Sequence, residues 1–541
     1  MVGGQLSPPT INIGLPTSIF PQSHKHMNAL VKTQTIALNG LTALPVSIEV
    51  NTYNGDTSIM VGLPDNAVRE SRTRVINAIF NSKLRLSCST FVANFAPADV
   101  RKEGTGYDLP LAVGILASNQ YITSTLLDKC CLVGELGLDG SLRPIRGALP
   151  IAIKAREMGY DFLVVPQQNV HEAAVVNRIK VYGANHLLEV VDLLNGHPTI
   201  QPVEYDTRAE FYAAQSQSPY DFADVKGQEQ VKRACEVAAA GGHNLILVGS
   251  PGCGKSMMAK RIPSILPQLT LAESLETTQI HSIAGKIDGN TSLISQRPFR
   301  SPHHTISDVA LIGGGANLQP GEISLAHNGV LFLDELPEFN RSALETLRGP
   351  LEDREITISR AKYTATLPCS FMLVASMNPC PCGYYNHPNH DCVCSPGQIH
   401  RYLNKISGPL LDRIDIQVEV MPVAVEELAT APRGETSETI RQRVIKARDI
   451  QTERFRGIPG IHCNAQMTAA QLETFATPDA EGARRLAFAM KSLNLSARAY
   501  GRILKVARTI ADLDASETIL PQHIAEAIGY RNLDRSDWAE R

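Results

Sequence analysis

The chain has almost no excess of charge. Its 541 residues carry 51 Lys and Arg against 54 Asp and Glu, a formal net charge of −3. A global basic field able to hold a polyanion is excluded, so any nucleic-acid contact has to come from a local patch or pore. No run of about 18 uncharged apolar residues occurs, as a membrane-spanning helix would need. Nor does any segment combine a basic start, an apolar stretch and a small-residue cleavage site. These absences predict a soluble, cytoplasmic protein without a membrane partner. Cysteine is present in an odd number, 11, with four crowded between 380 and 394. That usage suits a reducing compartment and a metal clip better than a disulfide framework. The length predicts roughly three or four domains, and a hydrophobic content of 43% gives each an interior.

Taken in order, residues 1–26 are rich in Pro, Ser and Gly and are expected to form a disordered leader. From 27 to 196 the pattern is mixed α/β. Strands are expected at 46–50, 58–61, 131–136 and 162–165, and helices at 65–82, with Val68, Val75, Ile76 and Ile79 on one stripe, and from 109. Residues 197–224 are polar and broken by proline, which suits a linker. A nucleotide-binding domain is expected over 225–422. From 423 to 541 the periodicity is helical, with helices at 438–455, 479–491, 496–512 and 521–530. The basic residues of 438–455 are expected on a solvated or subunit-facing side.

The reading turns on Gly249-Ser250-Pro251-Gly252-Cys253-Gly254-Lys255-Ser256. This stretch follows the apolar run Leu245-Ile246-Leu247-Val248, a predicted buried strand, and precedes a helix expected over 257–266. In that context a G-x-x-x-x-G-K-[ST] loop cradles phosphate. Its glycines let backbone N–H groups turn onto phosphate oxygens, and the helix adds its unpaired N-terminal donors and positive dipole end. Lys255 is expected on the β and γ phosphates and the Ser256 hydroxyl on Mg²⁺, so ATP and Mg²⁺ are the expected cofactors. A chance glycine-rich turn is the competing reading. The segment Phe222-Ala223-Asp224-Val225-Lys226-Gly227-Gln228 is placed against the adenine.

A second apolar run, Val330-Leu331-Phe332-Leu333, ends in Asp334-Glu335. Two carboxylates at the C-terminal end of a buried parallel strand sit where open α/β sheets bind ligands. Asp334 is expected to hold the Mg²⁺ shell and Glu335 to act as general base on the attacking water. A third strand, 370–376, leads to Asn378, whose amide can orient that water. Arg413 lies after a Gly-Pro break and before a strand at 416–420. From there a guanidinium could reach a neighbouring subunit and neutralise transition-state charge in trans, or it could be a local partner of Asp412 or Asp415.

Between these elements, alternation on both sides of 359–363 predicts a hairpin whose tip carries Arg360 and Lys362. Cys380-Pro381-Cys382 and Cys392-Val393-Cys394 are separated by nine residues that include His387 and His390. Two thiol pairs closing a short loop suit tetrahedral Zn²⁺, with His able to replace one Cys. Reduced thiols or a redox-formed disulfide are the other readings.

Two resemblances follow from longer stretches. Leu132-Val133-Gly134-Glu135-Leu136-Gly137-Leu138-Asp139-Gly140-Ser141-Leu142-Arg143-Pro144-Ile145-Arg146-Gly147 and Val164-Val165-Pro166-Gln167-Gln168-Asn169 resemble the Lon protease catalytic domain. That chemistry needs a serine activated by a lysine. The matching region here, Lys102-Glu103-Gly104-Thr105-Gly106-Tyr107-Asp108-Leu109-Pro110, has no serine, and the lysine position falls near Leu149, so covalent hydrolysis cannot run. Residues 27–196 are expected as a Lon-like fold kept for oligomerisation or docking.

The runs Arg297-Pro298-Phe299-Arg300-Ser301-Pro302-His303-His304-Thr305-Ile306-Ser307, Gly313-Gly314-Gly315, Pro320-Gly321-Glu322-Ile323-Ser324-Leu325-Ala326-His327 and Asp334-Glu335-Leu336-Pro337-Glu338-Phe339 look like the Mg-chelatase-like AAA+ ATPases, within them the competence-protein ComM/YifB type. The resemblance covers nearly everything from Met27 onward. It implies a multidomain α/β chain. Its parts would be a Lon-like α/β domain, an AAA+ P-loop parallel-sheet domain with a Cys-rich insertion at 380–394, and a C-terminal helical lid over 423–541. It further implies a homo-oligomeric ring, expected as a hexamer, and a DNA branch-migration or helicase motor in recombination or natural transformation. Asn378 takes the sensor 1 role by this resemblance. Arg498 takes the sensor 2 role on the γ phosphate, with Arg502 as the neighbouring alternative. The hairpin would line a central pore, where Arg360 and Lys362 could grip DNA phosphates, or it would be a solvated tip with no partner. His303 and His304 would pack locally or face the pore. The rival functions are a chaperone-like or chelatase-type ATPase that remodels a protein or assists metal insertion, and a binding module whose nucleotide only holds a ring together. No integrin-like metal-binding domain is present, so a complete chelatase is not expected from this chain.

Overall fold

Period-two alternation makes Thr42–Tyr53 a half-buried strand, with Val46, Ile48 and Val50 turned inward. It runs antiparallel to Thr90–Ala96. Ile59–Val61 adds to that partner in parallel, giving a four-stranded sheet with Val31–Asn39 at the other edge. A second, three-stranded parallel sheet joins Cys130–Leu132, Phe162–Pro166 and Lys180–Ala184. The helix Asn66–Asn81 starts where Asp65 accepts a hydrogen bond from the Val68 N–H, and it buries Val68, Val75 and Ile79. The helix Asp108–Ser118 is buried along its whole length. Its first residue, Asp108, is gripped by Arg74 at 2.8 and 3.0 Å, yet burial still pushes its carboxyl up to about 6. Leu149 is fully buried.

This computed structural model describes residues 29–531 apart from positions 41, 100, 101, 103, 124, 205, 216–218, 290, 316–318, 361, 362, 424–431 and 494. The leader expected at 1–26 lies outside the described residues. The chain divides into two units, one running to Glu204 and one starting at Tyr205, with Leu38–Thr42 and Arg146–Pro150 counted in the second. The stretch expected as a linker contains a helix, Thr207–Ala214. Asp206 starts it by accepting from the Arg208 and Ala209 N–H groups, and Phe211 is buried. Polarity and proline concealed one apolar anchor. No helix among the described residues is long and apolar enough to cross a membrane.

The second unit is built on a five-stranded parallel sheet in the order Phe299–Arg300, Val330–Leu333, Met372–Met377, Leu245–Gly249, Ile416–Val420. Successive residues of these strands enter different cores. Leu245, Leu247, Val330 and Phe332 face one, while Ile246, Val248, Leu331 and Leu333 face the other. Burial on both faces is why these segments read as unbroken apolar runs. The C-terminal helices begin at side-chain caps on Thr436, Asp479 and Ser496. Ile440, Val444, Ile503 and Ile510 pack into the first of those two cores, so the expected boundary at 422 does not separate two apolar interiors. The basic side of Ser437–Arg454 is occupied within the chain. Arg443 pairs with Glu236 and Glu435, and Arg454 with buried Asp512.

One buried network fixes the final long helix, Ala497–Leu513, to the sheet. Asp415 accepts from His243 Nδ1 at 3.0 Å and Arg502 Nη1 at 2.7 Å. His243 Nε2 meets Thr509 Oγ1 at 2.8 Å. Burial alone would raise the Asp415 carboxyl, but Arg502 and His243 hold it well below its ordinary value. Asp415→Ala should therefore cost about 3–5 kcal/mol, the penalty for stranding a buried guanidinium. Arg485→Ala, which breaks a half-exposed pair with Glu481, should cost less than about 1 kcal/mol. Denaturant unfolding of the two variants measures the contrast.

Candidate nucleotide site

Parallel pairing sets the geometry of the site. Val248 lies opposite Met377, and Leu333 opposite Ala375. One step further along each strand, Gly249 comes level with Asn378 and Asp334 with Ser376. Three chain segments leave the same edge of the sheet together, as ligand sites of open α/β folds require. The loop after Gly249 enters the helix Lys255–Ile265. Gly252 and Gly254 sit at φ +78° and +99°, a region open to glycine at no steric penalty. Nothing lies within 4 Å of where a Cβ on Gly252 would stand, so conformation rather than crowding demands glycine there.

The Lys255 ammonium lies in the mouth of this loop. It donates to the carbonyls of Gly249 at 2.7 Å and Ser250 at 2.9 Å, and to Asn378 Oδ1 at 3.2 Å. Burial lowers its pKa, and burial raises that of the neighbouring Cys253 thiol. Phosphate oxygens are stronger acceptors for such a cation than neutral carbonyls. The Ser250 hydroxyl is buried without a hydrogen-bond partner, and the helix beginning at Lys255 points its first N–H groups into the loop. An orphan hydroxyl, a half-buried ammonium and a helix N-terminus form a donor set that fits a polyphosphate.

Asp334 is held from two sides. Ser256 Oγ donates to its Oδ2 at 2.8 Å, and Ser376 Oγ donates to its Oδ1. The Glu335 N–H lies 3.1 Å from Asp334 Oδ1 and 3.4 Å from Ser376 Oγ. A carboxylate beside a hydroxyl is the oxygen pair that Mg²⁺ takes, together with water and substrate phosphates. Glu335 itself has φ +55°. A left-handed non-glycine residue costs on the order of 1 kcal/mol or more and tends to persist at functional sites. Its carboxylate is more than half exposed, with His304 Nδ1 3.6 Å away. The His303 and His304 rings lie 4.1 Å apart, and His304 also meets the edge of Phe339 at 6.4 Å. His304 thus packs against the acidic end of the strand.

The two arginines expected at the γ phosphate have other partners within this chain. Arg413 pairs with Glu352 at 2.7 Å and donates to the Pro409 carbonyl at 2.7 Å. Its partner is neither Asp412 nor Asp415. Arg498, largely exposed, pairs with Asp412 at 3.1 Å, and Arg502 is taken by Asp415. Glu355–Arg360 and Tyr363–Pro368 form the expected hairpin, with Arg360 opposite Tyr363. Lys362 and the side chain of Arg360 lie outside the described residues. The sulfurs of Cys380, Cys382, Cys392 and Cys394 all lie within 4.8 Å of one another, an arrangement compatible with a metal. His387 and His390 instead meet each other at a tilt, and both contact the Tyr384 ring, His387 edge-on.

Three family descriptions match the chain: magnesium chelatase, subunit ChlI, over 221–428, subunit ChlI of Mg-chelatase over 48–169, and the subunit ChlI C-terminal region over 434–531. YifB of Escherichia coli (strain K12) is 44% identical over 505 residues, covering 93% of this chain and 97% of that protein. The competence protein ComM of Haemophilus influenzae is 43% identical over 498 residues, 92% and 96% respectively. The chain belongs to the Mg-chelatase-like ComM/YifB family. A shorter likeness joins this ComM/YifB-type chain to Lon protease 2 of Bacillus subtilis, 29% identical over 160 residues, 27% of this chain and 28% of that one.

Ser376 is a site residue that motif reasoning passed over. It read as one more position of a buried strand, and only the register reveals that its hydroxyl reaches Asp334. In this ComM/YifB-type chain, Ser376→Ala should weaken Mg²⁺-dependent nucleotide binding about tenfold, the loss of one hydrogen bond to a charged group. Mg²⁺-free binding should change little. Calorimetric titration with and without Mg²⁺ distinguishes the two.

Proposed function

We propose that the protein is an ATP-hydrolysing AAA+ ring motor that acts on DNA in the cytoplasm, most concretely in branch migration or helicase work during recombination or natural transformation. The observation that carries the reading is the convergence of Lys255, Ser256, Asp334, Glu335 and Asn378 at one edge of a parallel sheet. Family membership supports the ATPase part. The DNA part is supported by the relative named as a competence protein and by the hairpin whose tip carries Arg360 and Lys362.

The roles of the chain's own groups follow from the contacts. Lys255 and the loop N–H groups bind and orient the phosphates. Ser256 and Asp334 would hold Mg²⁺, which when bound would supply charge neutralisation for the phosphates. Glu335 accepts the proton of the attacking water, and Asn378, level with the loop, holds that water in line. Arg498 takes the sensor 2 role on the γ phosphate, and Arg413 serves the site of the adjoining protomer in a hexamer, where a guanidinium in trans accelerates hydrolysis by about 10³ or more. The six hairpins line the pore. The first unit, Lon-like without nucleophile or base, acts in docking or oligomerisation.

A second reading, a chelatase-type or chaperone-like remodelling ATPase, is favoured by the magnesium-chelatase description of the matched family. The deciding assay is branch migration on three-way and four-way junctions with ATP, Lys255→Ala serving as control. The motor reading expects migration with the parent protein and none with the control. Hydrolysis indifferent to DNA but stimulated by a protein partner would replace it with the second reading. Glu335→Gln should retain MgATP binding while turnover falls by about 10²–10⁴. Lys362→Ala should abolish stimulation by DNA with basal hydrolysis kept, as a phosphate contact away from the nucleotide demands. Steady-state ATPase assays with and without DNA measure both.

A further inference from the structure

The segment from Asn378 to Ser395 makes turns but neither helix nor strand. Its apolar support is small: Cys380 and Ile399 are buried, with Tyr385, Leu403 and the other three cysteines packed around them. Four of the seven side chains in that cluster are thiols, too little apolar mass to order so long a loop. The sulfurs make up the difference in number. Cys380 and Cys382 are 3.3 Å apart, and Cys392 lies 3.6 Å from each. A disulfide needs about 2.05 Å. Four thiolates around Zn²⁺, at about 2.3 Å each, place neighbouring sulfurs about 3.8 Å apart in a tetrahedron. The observed spacing is that of ligands sharing a metal rather than of a bond.

The loop also bears on the nucleotide site. Gly383 adopts φ +86°, and a Cβ there would stand 2.6 Å from Pro251 Cδ and 2.8 Å from its Cγ, so the loop backbone rests directly on the proline of the phosphate loop. Cys380 follows Asn378 by two positions. A cavity of about 440 Å³ is walled by Pro381 of the loop, Asn378 and Glu335, and by Gln398 and Arg401 of the helix that begins just after Cys394. Moving the loop moves one wall of the cavity that Glu335 and Asn378 line.

We propose that Cys380, Cys382, Cys392 and Cys394 bind one Zn²⁺ as a tetrathiolate, and that this metal-clamped loop is a strut that positions Pro251 and Asn378, so that metal loading controls turnover more than nucleotide affinity. The metal part stands on the sulfur geometry alone. The positioning part rests on the hydrolysis reading above.

The test uses the full chain. Elemental analysis of the purified protein should find one Zn²⁺ per chain, and Co²⁺ exchanged for it should give the visible spectrum of a tetrahedral tetrathiolate. Cys392→Ser should lose the metal. A parent protein without zinc, without that cobalt spectrum, and with four freely titrating thiols or a disulfide overturns the metal site whatever the ATPase does. For the strut, Gly383→Ala keeps all four thiols. It should retain Zn²⁺ and bind nucleotide within a factor of two or three, yet turn over about tenfold or more slowly, the scale set by small misplacement of reacting groups. Normal turnover in Gly383→Ala, or in zinc-free protein that remains folded by circular dichroism, overturns the strut. A parent protein that carries zinc but hydrolyses no ATP under any condition counts against the ATPase reading and leaves the metal site standing.

Discussion

The carboxylate of Asp334, fixed between two hydroxyls, is the constraint on which the rest of the site depends. Ser256 approaches it from the first turn of the helix after the phosphate loop, and Ser376 from the neighbouring strand. Neither approach is local in sequence. Both follow from parallel pairing in which the strand Met372–Met377 lies between the other two. A slip of one residue in either pairing would turn every side chain of that strand to the opposite face. The two apolar cores flanking the sheet forbid such a slip, so burial of alternate residues is what keeps Lys255, Asp334 and Asn378 at one edge. Packing energy and catalytic geometry are coupled through register.

The same principle extends to the arginines. Asp415 immediately precedes the edge strand Ile416–Val420 and, through His243 and Arg502, ties the helix Ala497–Leu513 to the sheet. Arg498, one turn earlier on that helix, pairs with Asp412, and Arg413 pairs with Glu352. Arg498 stands largely exposed on a helix held by that buried charge, with its head on a partly exposed carboxylate, whereas the Arg413 side chain is mostly buried. Exposed ion pairs are weak. Releasing Arg498 from Asp412 is therefore energetically easy, whereas displacement of the buried anchor is not.

Much of this was legible in the sequence because it depends on local signals. The phosphate loop, the acidic strand and Asn378 announce themselves by motif and by apolar runs that stop at polar residues. The C-terminal helices begin within a residue or two of their expected starts because Asp479 and Ser496 are recognisable caps. What stayed hidden depends on pairing between distant segments. Ser376 looks like any strand residue until it is placed opposite Asp334. Glu352 gives no sign that it will meet Arg413, and two nearer aspartates seemed better partners. Nothing in the sequence around His304 says that Glu335 is what it meets. The helix Thr207–Ala214 was read as linker because its single buried anchor, Phe211, is too little periodicity to register.

The most direct test is a structure of the protein determined with Mg²⁺ and a non-hydrolysable ATP analogue. The account predicts the metal coordinated at the Ser256 hydroxyl and on the Asp334 side of the site. It also predicts the Lys255 ammonium transferred from the Gly249 and Ser250 carbonyls to the β and γ phosphates, with the γ phosphate facing Glu335 and Asn378. A nucleotide bound elsewhere, or one bound at the loop with Asp334 and Glu335 remote from its phosphates and metal, would contradict it.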